Sequence, residues 1–134
     1  MKTSIRMVFF ILLISLLTGC TDIALKSKTL EQAIIQLKET LVTIENKENI
    51  SAKDQETVKV QVEYFQQSFK AFQNEEVPSF LTKAHKKSIA RLSLCQDFIL
   101  PLKERAGKKR LTKSDIVTAR KALSEDFNLS IFHR

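Results

Sequence analysis

The sequence predicts an all-α fold, a small antiparallel bundle of about four amphipathic helices. Three observations predict it. Past the N-terminal segment, apolar residues recur at alternating spacings of four and three, which places them on one helix face. Glycine occurs only at positions 19 and 107 and proline only at 78 and 101, too few turn residues for a many-stranded protein. Start signals of the capping-box kind precede three of the apolar stripes.

In the first predicted helix, Thr29 is the expected N-cap with Gln32 three residues on, followed by the stripe Leu30, Ile34, Leu37, Leu41 and Ile44. The polar stretch Asn46 to Asn49 ends it. Ser51 with Asp54 opens a second helix whose stripe is Val58, Val62, Phe65, Phe69 and Phe72. It should stop by Val77, because the residue before Pro78 disfavours helical geometry.

Pro78 and Ser79 are expected to begin a third helix, where a first-turn proline is tolerated. Its inner face reads Leu81, Ala84, Ser88, Leu92, Cys95, Ile99 and Leu102. Pro101 falls inside this pattern and removes a backbone donor, which predicts a kink or break near residues 97–100. Gly107 is the expected C-cap. A fourth helix follows, with Thr112 and Asp115 as its capping box and Leu111 and Ile116 as a hydrophobic staple. Its stripe is Ile116, Ala119, Leu123 and Phe127. Residues 128–134 lose helical spacing and are expected as a tail folded on the bundle or a short extended piece.

The N-terminal segment follows different rules. Lys2 and Arg6 precede the apolar run from Met7 to Leu17, and small residues then lead into Cys20. That run is much shorter than the roughly 20 residues a membrane span needs, and it has the layout of a secretory signal. The ending Leu17-Thr18-Gly19-Cys20 resembles the lipobox of bacterial lipoproteins. The resemblance covers residues 1–20 and implies that Cys20 is lipidated and becomes the first residue of the mature chain. Residues 1–19 are then the signal peptide, 20–28 a lipidated N-terminus and tether, and 29–134 a single helical domain. No specific family is recognised for that domain. In Gram-negative lipoproteins an aspartate directly after the cysteine favours inner-membrane retention. Thr21 stands there instead, which implies the outer membrane. In a Gram-positive cell the place would be the outer face of the plasma membrane.

Charge divides unevenly. Residues 20–76 carry 7 Lys/Arg against 10 Asp/Glu, whereas residues 77–134 carry 13 against 5. The basic residues Lys83, Lys86, Lys87 and Arg91, together with Lys108, Lys109, Arg110 and Lys113, are candidates for a binding face toward headgroups, cell-wall polymer or an acidic protein. The alternative is a solvated helix face with a charged loop. Export argues against nucleic acid as a partner.

Candidate chemistry is sparse. With Cys20 lipidated, Cys95 has no intrachain partner, and its setting among Leu92, Phe98 and Ile99 is that of a small buried hydrophobe. His85 and His133 lack ligands at zinc spacing and are expected to be solvent-exposed. The aromatics Tyr64, Phe65, Phe69 and Phe72 are expected in the core rather than in a groove. No nucleophile motif or phosphate-cradling loop is present, and no cofactor or metal is implied. The expected function is therefore non-enzymatic: a lipid-anchored adaptor or assembly accessory that binds another envelope protein. The alternatives are a protective lipoprotein (immunity, exclusion or inhibitor) and a binder of anionic lipid or cell-wall polymer through the basic face.

Overall fold

The computed structural model describes the backbone of residues 2–133 and the side chains of residues 22–133. The expected signal segment and the expected lipidation at Cys20 lie outside the residues whose side chains are described. Four α-helices follow one another: α1 (Lys2–Glu45), α2 (Ala52–Asn74), α3 (Thr82–Gly107) and α4 (Lys113–Leu123). Two short 3-10 segments, Ser79–Leu81 and Leu129–His133, lead into α3 and close the chain. Among the described residues there is no strand and no helix long and apolar enough to cross a membrane.

The helices run up, down, up and down. α1 touches α2, α2 touches α3, α3 touches α4, and α4 returns to α1. α4 has only 11 residues, less than half the length of α2 or α3, so it covers only part of the fourth side. The C-terminal 3-10 segment covers the remainder by packing on α1. Leu129 and Phe132 are thereby buried, so the tail is folded onto the bundle rather than extended.

The predicted stripes form the core. Leu30, Leu37, Leu41, Val58, Val62, Phe65, Phe72, Leu92, Ile99, Ile116 and Ala119 have essentially no accessible surface. Each large aliphatic or aromatic side chain removed from water contributes roughly 1.5–3 kcal/mol. Phe65, Phe69 and Phe72 lie in this core, while Tyr64, off the stripe, stays exposed.

Both capping boxes form in full, at Ser51–Asp54 and at Thr112–Asp115. Leu111 and Ile116 are both buried, as a hydrophobic staple requires.

Several local expectations change. Thr29 is not an N-cap: the helix passes through it, and its hydroxyl donates to the Leu25 carbonyl one turn back. The stretch expected as tether is helical from residue 22, with Ile23 and Ser27 fully buried.

α3 continues through Pro101 without a break. The proline withholds one donor from the Asp97 carbonyl, and both Asp97 and Pro101 stand on the exposed side of the helix, where that acceptor need not be satisfied from within the protein. The flanking Ile99 and Leu102 are held in the core. The irregularity lies instead at the start of the helix, where Ser79–Leu81 is 3-10 and the α-helix proper begins at Thr82.

Gly107 is the last helical residue rather than the residue past the helix end. Lys109 takes the left-handed conformation there, with φ 56°. The Lys109 amide donates to the Ala106 carbonyl and the Arg110 amide to the Arg105 carbonyl. That pair of bonds is a Schellman motif, built on lysine where glycine is usual.

Candidate functional site: the outer face of the third helix

The candidate basic residues do not form one patch. Lys83, Lys86, Lys87 and Arg91 lie in the first half of α3, while Lys108, Lys109 and Arg110 lie at its far end. At 1.5 Å per residue, Lys87 and Lys108 are roughly 30 Å apart along the axis.

The two groups also differ in what holds them. Lys83, Lys86 and Lys87 are exposed and form no ion pair among the described residues. Arg91 is exposed and donates from Nη1 to the Asp126 carbonyl at 2.9 Å. At the other end, Lys108 pairs with Glu104 at 3.3 Å and Arg105 pairs with Asp115.

Lys113 leaves the set. Its ammonium donates to the carbonyls of Ile44 at 2.7 Å and Glu45 at 3.0 Å, and also to that of Lys47. These carbonyls end α1, where the helix leaves acceptors without intrahelical partners and favours positive charge. Lys113 is thus a cap on another helix.

Between the two basic groups α3 presents Leu94 and Phe98, 67% and 52% exposed. They are one turn apart on the same face. Sequence reading set Phe98 beside the buried cysteine. It does border that cysteine, yet half of its surface meets solvent. Leu94, Cys95 and Phe98 line a hollow of about 270 Å³ closed on the other side by Ala122, Glu125 and Phe127. The hollow exists because α4 ends at Leu123 and the chain crosses over α3 before its final turn. The crossing is fixed by the buried Ser88 hydroxyl, which donates to the Phe127 carbonyl at 2.8 Å.

Cys95 is buried at the floor. Burial, and secondarily the negative charge of Glu125, pushes its thiol up to about 12, so at neutral pH it is a protonated apolar group rather than a nucleophile.

The histidines are not exposed. His85 is buried, and its Nε2 donates to the Phe72 carbonyl at 2.8 Å, closing the last turn of α2. Its ring packs edge-on against Phe72, and Phe132 meets both rings at steep angles. His133 lies near Ser27, with Nδ1 3.0 Å from its Oγ, and its Nε2 is 3.2 Å from Glu31 Oε2.

Serine, histidine and carboxylate thus meet, but in a form unsuited to nucleophilic attack. The single Ser27 hydroxyl hydrogen is given to the Ala24 carbonyl at 2.8 Å, so Oγ accepts from His133 instead of being deprotonated by it. Ser27 is also fully buried, and no substrate carbonyl could approach it. The cluster clamps the C-terminal turn to α1. Among the described residues, no three His, Cys, Asp or Glu side chains converge as metal ligands.

No family model, curated protein or solved structure matches this chain. The functional reading therefore rests on the residues and their arrangement.

Proposed function

We propose that this chain is a lipid-anchored, non-enzymatic protein of the bacterial cell envelope that acts as an adaptor or assembly accessory by binding another envelope protein. The anchor rests on the lipobox-like Leu17-Thr18-Gly19-Cys20, and the membrane is the first partner through lipid on Cys20. The observation that carries the binding role is the exposed Leu94–Phe98 pair on α3, flanked on one side by exposed basic side chains that form no ion pair among the described residues. A small bundle gains by burying two such side chains, and it leaves these outside. The engagement of Ser27, His85 and His133 in structural hydrogen bonds supports the non-enzymatic part of the reading.

Chemical cross-linking in intact cells tests the adaptor role. The full chain should enter a discrete adduct with one other envelope protein in a fixed ratio. Recovery of the uncross-linked chain alone would contradict it.

One observation favours a second reading. Lys83, Lys86 and Lys87, which form no ion pair among the described residues, also suit an anionic lipid or cell-wall polymer, and binding of that kind weakens steeply with salt.

A further inference from the structure

The outer face of α3 carries a second helical seam, separate from the one that faces the core. Lys87, Arg91, Leu94, Phe98, Arg105 and Lys108 stand on it, spaced so that each falls close to the same face of the helix. Its centre is apolar; Lys87 and Arg91 at one end form no ion pair among the described residues, whereas Arg105 and Lys108 at the other are paired with Asp115 and Glu104. We propose that this seam, with the hollow beside Cys95, is the docking site for an acidic amphipathic helix of the partner protein. The inference rests on the adaptor reading and specifies its partner's chemistry.

Charge decides the occupant. A second copy of α3 laid antiparallel across Leu94 and Phe98 would set Lys87 near Arg105. A parallel copy would set Lys87 against Lys87. The parallel copy opposes like charges, and the antiparallel copy brings Lys87 to an arginine already paired with Asp115, so neither offers Lys87 a free carboxylate. An anionic bilayer would be drawn to Lys83, Lys86 and Lys87, but Glu125 lines the hollow and the exposed Asp97 and Asp126 are chain neighbours of Phe98 and Phe127, so headgroups laid over this face would meet charges of their own sign. A helix with a leucine- or phenylalanine-lined face differs from a headgroup layer in that it can confine its carboxylates to the end over Lys87 and leave only apolar side chains beside Asp97 and Glu125. One of its apolar side chains fills the hollow of about 270 Å³, and its carboxylates meet Lys87 and Arg91. This is the helix-in-groove mode, with anchors at helical spacing.

The test places a photoreactive amino acid at Phe98, and separately at Ile35 on the outer face of α1 (46% exposed), in the full chain expressed in cells. Cross-linked peptides are then sequenced by mass spectrometry. The seam predicts an adduct from position 98 whose partner peptide is an acidic segment with apolar residues at helical spacing. Adding the Lys87→Glu and Arg91→Glu exchanges should cut its yield by about tenfold, the equivalent of 1.4 kcal/mol.

Adducts at position 98 with lipid alone, with a second copy of this chain, or with a basic or non-helical segment would overturn the proposal. So would an adduct yield unchanged by the two charge reversals. An envelope-protein adduct from position 35 but none from 98 would overturn this surface while leaving the adaptor reading standing. The absence of any envelope-protein adduct from either position would remove both.

Discussion

Lys113, at the first turn of α4, holds the last turn of α1: its Nζ lies 2.7 Å from the Ile44 carbonyl oxygen. One side chain therefore closes the top of the bundle, assisted by Arg120, whose guanidinium reaches both oxygens of Glu45 at 2.5 and 3.3 Å. Lys113→Ala should cost about 1–2 kcal/mol, because the carbonyls of a helix end lose a charged donor. Urea unfolding measures it. The same exchange at Lys109, whose side chain is exposed, should change stability far less than that, and equal effects would contradict the capping role.

Ile23 lies within the stretch that a lipoprotein would use as a leash, yet it has no accessible surface and belongs to the contiguous core. Ile23→Ala should therefore destabilise the fold by about 2–4 kcal/mol, the usual range for truncating a buried aliphatic side chain. A shift of the urea midpoint indistinguishable from zero would return residues 22–28 to the status of a tether.

The Schellman motif after α3 calls for opposite exchanges at two positions two residues apart. Gly107 is helical, and a Cβ there would meet nothing within 4 Å. Gly107→Ala should stabilise by about 0.5–1 kcal/mol. Lys109 holds φ 56°, so Lys109→Gly should also stabilise, by about 1 kcal/mol, through relief of the left-handed penalty. Thermal unfolding of the two variants and their combination checks this. Destabilisation by Lys109→Gly would mean that its side chain, and not the backbone turn, matters there.

The buried Cys95 thiol gives a pH signature. Its folded value is raised to about 12 from the ordinary 9.0, so above pH 9 the unfolded chain loses this proton while the folded chain retains it. Stability from this group is complete below pH 9 and is lost as pH rises toward 12. Tyrosine and lysine titrate in the same range. The readout is therefore the difference in thermal midpoint between the parent and Cys95→Ala, which should narrow or reverse as pH rises. Iodoacetamide at pH 8 should label the folded parent far more slowly than the chain in urea, and equal rates would contradict burial.

Much of this arrangement was readable from the residues. The stripes of α1 and α2 are buried as their spacing predicts, because an aliphatic or aromatic side chain repeated on one helix face has one place to go. The two capping boxes formed because their donors and acceptors are local in sequence. What was missed depends on distant partners. His85 looks like a surface residue until the Phe72 carbonyl and the Phe132 ring are placed around it. Lys113 looks like part of a basic loop until α1 ends beside it. Leu129 and Phe132 stand three residues apart, the period of the short 3-10 turn that carries them, too brief a pattern to read in sequence, and only the shortness of α4 explains why the tail must cover that side. Leu94 and Phe98 were visible as apolar residues off the inner stripe of α3, a signal that their own spacing of four would have made explicit.

The central claim is that Cys20 fixes this bundle to a membrane. Growth with an alkyne-bearing fatty acid, followed by detection of the full chain and its Cys20→Ser variant in membrane fractions, tests it most directly. The account predicts lipid label on the parent and none on the variant, which should also run at the size of the uncleaved chain. Label retained by Cys20→Ser, or a parent chain that never acquires label, would contradict it.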